Sequence, residues 1–117
     1  MRLVHLPRLS ILALAVLLVT GCASGPPPTE QMAAAKAAVD SANATGAPAY
    51  APTETRLAAD KLAGAKKALA DKDYVLAKQL ADESQLDAQL AVRKMQTAKS
   101  SQAADEARKA VSTGVKP

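Results

Sequence analysis

The sequence predicts an all-α fold, an elongated three-helix bundle made of a short helix, a loop and a helical hairpin whose last helix is long. Three observations carry this. Alanine, the best helix former, dominates the chain; apolar residues recur at intervals of three and four; and prolines and glycines cluster where that periodicity breaks. The same composition limits stability. Beyond residue 21 the chain has 26 Ala but only 16 larger apolar residues, so an ordering cost of ~1.5 kcal/mol per residue is only weakly offset by burial. The expectation is a modestly stable domain that gains from close packing or from a partner.

Residues 1–21 stand apart from this domain. Arg2 and Arg8 make the N-terminus basic, and Ile11 to Val19 is an unbroken apolar run. That run is about half the roughly 20 residues needed to cross ~30 Å of hydrocarbon. Behind it, Val19-Thr20-Gly21-Cys22 places small residues where a signal peptidase cuts. The segment resembles a bacterial lipoprotein signal, with Val19 where leucine is more common. The resemblance implies cleavage between Gly21 and Cys22, a diacylglycerol on the Cys22 thiol and an acyl chain on its new amino group. Cys22 is the only cysteine, so it has no partner for a disulfide. Two or three acyl chains, at ~0.8 kcal/mol per buried CH₂, anchor a protein to a membrane without spanning it. Ala23 and Ser24, not Asp, follow the cysteine. By analogy with Gram-negative lipoproteins the expected location is the outer membrane, facing the periplasm.

Cleavage would also remove the only histidine, His5, and leave 13 basic against 11 acidic residues, a net charge of +2. Without histidine, and with Cys22 lipidated, the remainder cannot assemble a Ser-His-Asp or Cys-His nucleophile or a His/Cys zinc site. Gly46, Gly64 and Gly114 are too scattered for a phosphate loop. The carboxylate pairs Asp71/Asp73, Asp82/Glu83 and Asp105/Glu106 lack an apolar setting that would shift a pKa and read as solvated helix surface. Basic residues interleave with acidic ones, and Tyr50 and Tyr74 are the only aromatics, a pattern unlike a nucleic-acid surface. No catalytic residue, cofactor, metal or nucleic acid is expected.

The elements follow in order. Cys22 and residues 23–29, with Pro26-Pro27-Pro28, form an extended tether. A first helix is predicted over 30–45, with Met32, Ala35, Val39 and Ala42 on one face and Gly46 and Pro48 as its stop. Residues 46–52 form a loop, because each proline disfavours helix in the residue before it. A second helix over 53–70 lines one face with Ala58, Leu62, Ala65 and Leu69. Gly64, which costs ~1 kcal/mol inside a helix, reads either as a close approach by another helix or as simple tolerance. At Asp71-Lys72-Asp73 the pattern changes phase, and Asp73 suits an N-cap.

The third helix is predicted over 73–113, followed by a tail at 114–117. Along it Ala77, Ala81, Ser84, Ala88, Ala91, Met95 and Ala98 alternate in steps of four and three, a small-residue seam at coiled-coil spacing. Leu76, Leu80, Leu86 and Leu90 are expected to add bulk beside the seam. Lys36/Asp40, Arg56/Asp60, Lys67/Asp71 and Lys78/Asp82 fit solvent-facing i,i+4 rows. Large apolar residues nearly vanish between Met95 and Val111, so the last third should project from the bundle.

The lipoprotein signal, the Gly46-Ala47-Pro48-Ala49-Tyr50-Ala51-Pro52 loop and the Leu57–Ala65 and Lys72–Ala77 segments together resemble an alanine-rich envelope lipoprotein family, domain-of-unknown-function family 4398. The similarity covers residues 30–105. It implies a helical domain, sometimes joined to an OmpA-like peptidoglycan-binding domain, and no established catalytic residues. The leading expectation is a non-enzymatic structural or adaptor element of the envelope, using the seam to bind another helical protein or a second copy of itself. The alternative is a cell-wall or small-ligand module whose cleft is flanked by Tyr50 and Tyr74.

Overall fold

A computed structural model of the chain describes residues 25–114. It contains helices α1 (Thr29–Thr45), α2 (Pro52–Ala70) and α3 (Tyr74–Ser112), with a 3₁₀ turn at Ala47–Ala49 between the first two. No strand is present among the described residues. This is the all-α three-helix arrangement the sequence predicts, each helix boundary within one residue of expectation. The predicted signal segment with Gly21 and Cys22, the start of the predicted tether and the last three residues lie outside the described residues.

Local chemistry sets the boundaries. α1 ends where Gly46 takes φ 87° and its N–H donates to Asn43 O at 3.3 Å. No atom lies within 4 Å of where a Gly46 Cβ would stand, so the backbone angle, not space, asks for glycine. α2 opens with Pro52 at its first helical position, where a missing N–H is harmless. It closes in a Schellman turn: Asp73 N–H donates to Ala68 O at 2.9 Å and Lys72 N–H to Leu69 O at 3.1 Å. The left-handed residue of that turn is Lys72, φ 61°. Asp73 then caps α3 as expected, its carboxylate accepting from Leu76 N–H at 3.1 Å.

Side-chain pairs give the directions. Glu54 pairs with Lys94, Lys61 with Asp87, and Gly64 faces Leu80, so α2 runs antiparallel to α3. Gln31 lies beside Tyr74 and Lys78, while Ala38 and Ser41 lie beside Ala88 and Val92, so α1 runs parallel to α3. The bundle is up-down-up, and α3 is the wall on which both other helices pack. The N-terminal tether and the α2–α3 turn therefore share one end. Tyr50 and its loop occupy the other.

The core is built of alanine. Among the described residues no side chain larger than Ser84 is fully buried; Leu62, Val39 and Met95 retain 7%, 6% and 5% exposure. Small contact residues let helix axes approach toward ~8 Å, the short end of the usual range. Gly64 belongs to this economy of volume: a Cβ there would stand 3.2 Å from Leu80 Cδ1. The close-approach reading of that glycine is the one the packing supports, the approaching group being a leucine side chain. The leucine expectation needs correction. Leu80 packs on the core, but Leu76, Leu86 and Leu90 are exposed, because the seam brings the helices too close to admit their row. On α2, Ala68 is buried where Leu69 was expected and Leu69 is only half-buried, while Thr55 joins the buried face at the other end of the helix.

Candidate functional site

The small-residue seam of α3 is where the sequence placed a partner surface, and its position in the fold corrects that reading. Ala77, Ala81, Ser84, Ala88, Ala91 and Met95 are buried, and Ala98 is half-buried. The partner helices that the spacing anticipates are α1 and α2 of the same chain. An outside helix would have to displace them. At the centre, the Ser84 hydroxyl donates to Ala58 O at 2.7 Å, across 26 residues of sequence, and pins α2 to α3.

Charged pairs stitch the open side of the α2–α3 seam. Lys61 Nζ lies 2.7 Å from Asp87 Oδ2 and 3.2 Å from Glu83 Oε2. The Asp87 carboxylate holds the Lys61 ammonium above its ordinary range, with Glu83 adding to it against partial burial. Gln79, donating to Glu83 at 3.0 Å, and then Lys61 hold the Glu83 carboxyl below the usual glutamate range. Nearer the loop, Lys94 does the same to Glu54. The sequence read Glu83 only as solvated helix surface; its partner, Lys61, becomes visible once the hairpin register is known.

Four other carboxylates enter exposed ion pairs along their own helices. Asp71 pairs with Lys67 at 2.8 Å, Asp82 with Lys78 at 2.8 Å, Asp40 with Lys36 at 2.6 Å and Asp105 with Arg108 at 3.3 Å. Arg56 and Asp60 face solvent, as their row predicts, and form no ion pair with each other. Among the described residues no group of three or more His, Cys, Asp and Glu could hold a metal ion. No described helix is long and apolar enough to cross a membrane.

Tyr50 and Tyr74 do not flank a common cleft. Lys99 Nζ stands 5.6 Å from the centre of the Tyr50 ring, a cation–π contact at the loop end. Tyr74 sits at the opposite end, in a groove with Gly25, Pro26, Pro27, Pro28 and Gln31. Lys99 and Tyr74 are separated by ~37 Å of helix.

Two exposed features mark the ends of α3. From Ser100 to Ser112 α3 continues past the loop with its side chains exposed, apart from a half-buried Ala110, a projection of ~20 Å. At the other end, the start of α3 displays Val75 and Leu76 beside the tether.

The fold thus defines an alanine-cored helical hairpin with a third helix laid along it and a projecting last helix. The chain belongs to the family described as Domain of unknown function (DUF4398), whose model matches residues 30–107. No curated protein and no solved structure matches it.

Proposed function

We propose that this chain is a non-enzymatic lipoprotein of the Gram-negative outer membrane, anchored through acyl chains on Cys22, whose periplasmic helical domain is a structural or adaptor element. The supporting observation is the solvent-exposed continuation of α3 beyond Lys99. A helix extended from a packed bundle needs no new nucleus, so this arm holds its shape with no core of its own. The tether enters the bundle at the opposite end. An anchor at one end and an arm at the other suit a protein that holds something at a distance from a surface. The partner contact moves accordingly, from the buried seam to the arm, where Ala103 and Ala107 are exposed.

A photo-crosslinking residue in place of Ala103 or Ala107, in intact cells, tests this. A discrete adduct with a helical envelope protein or a second copy of the chain is the expected result. Absence of any adduct from either position would sink the adaptor reading.

A further inference from the structure

The hairpin end of the bundle displays two adjacent aliphatic side chains beside the tether. Val75 is 75% exposed and Leu76 41%, in a protein where no described residue larger than serine is fully buried. They follow Lys72 and Tyr74 at the start of α3. The acidic residues of the same turn are internally engaged: Asp71 is paired with Lys67, and Asp73 accepts the Leu76 N–H. Lys72 is exposed and enters no ion pair among the described residues. The tip therefore offers one cation outside any ion pair, next to the Asp73 carboxylate, together with an amphipathic ring and two aliphatic side chains.

The path of the chain says what covers this tip. Gly25, Pro26, Pro27 and Pro28 share a groove with Tyr74, Val75 and Lys78, and Pro28 is buried. Residues 22–24 can span at most ~11 Å. If Cys22 is held in a bilayer, as the proposed function has it, the end of the bundle bearing Val75 lies no farther from the lipid than a headgroup layer or two. A lipid surface fits the chemistry: aliphatic side chains enter the headgroup–acyl boundary, a tyrosine ring suits the interface, and a lysine meets phosphate.

We infer that the Lys72–Leu76 tip is a lipid-contact surface, resting on the bilayer to which Cys22 is attached and standing α3 away from it. The inference rests on the lipoprotein reading but is tested apart from it. Among the described residues the buried core cluster lies between Ala35 and Met95, and the chain from Cys22 onward contains all of it. Its single thiol is coupled to maleimide-lipid in phosphatidylethanolamine–phosphatidylglycerol vesicles containing brominated acyl chains. The protein has no tryptophan, so Val75→Trp and Val111→Trp each report one end. Val75→Trp emission should fall about twofold, as for a side chain ~5–10 Å into the headgroup–acyl boundary, while Val111→Trp emission is unchanged. Leu76→Trp should behave like Val75→Trp. Unquenched emission from both tip positions, or equal quenching at Val75 and Val111, would overturn the inference. Because the anchor is made chemically, such a failure leaves natural acylation of Cys22 untouched, and mass spectrometry of the native protein decides that separately.

Discussion

Ser84 performs the most specific task of any residue in the core. Its hydroxyl satisfies itself on the Ala58 carbonyl inside a wall of alanine. Ser84→Ala should destabilise the domain by about 1 kcal/mol, the net value of one buried hydrogen bond, measured by urea unfolding. Ser84→Leu should lose more, because overpacking separates α2 from α3. The sequence placed Ser84 in the seam by spacing alone. Its hydrogen bond depends on a register between residues 26 apart, which no local pattern encodes. Lys72 is the counterexample at the surface: a side chain in the left-handed region, φ 61°, carries strain that glycine lacks. Lys72→Gly should raise the unfolding free energy by about 1 kcal/mol.

Among the elements, boundaries were legible and faces were not equally so. Gly46, Pro52 and Asp73 act on their own backbone within a few residues, so the sequence reports their effect directly. The leucines of α3 are different. Steps of three and four mark the alanine row, while Leu76, Leu80, Leu86 and Leu90 follow steps of four, six and four beside it; which row turns inward is decided by how closely two other helices can approach. Alanine wins because it admits both neighbours at short distance. The interhelical pairs give this arrangement a defined pH window. Glu54 and Glu83 are held below the ordinary 4.5, so their stabilisation is complete above that value and is lost as pH falls through the lower folded-state value. Lys61 is raised above 10.5, so its contribution is complete below that value and is lost as pH rises through the higher one. Melting temperature should therefore show no transition at neutral pH, where no described residue is a histidine, and should decline at both extremes. In Lys61→Met the alkaline decline should shrink.

At the scale of the whole molecule, two ends with different chemistry are joined by ~58 Å of continuous α3. The tether and the aliphatic tip lie at one end; the exposed arm leaves from the other. The sequence could assign the arm, because loss of large apolar residues beyond Met95 is a local signal. It could not put the tether beside Tyr74 or Tyr50 far from it, since both depend on α1 running parallel to α3. Every functional consequence of this polarity depends on where the chain is held. The most direct measurement is the mass of the N-terminal peptide of the protein isolated from its native envelope. A peptide beginning at Cys22 and carrying a diacylglycerol and an acyl chain is the predicted result; a chain retaining Met1, or a Cys22 with an unmodified thiol, would contradict it.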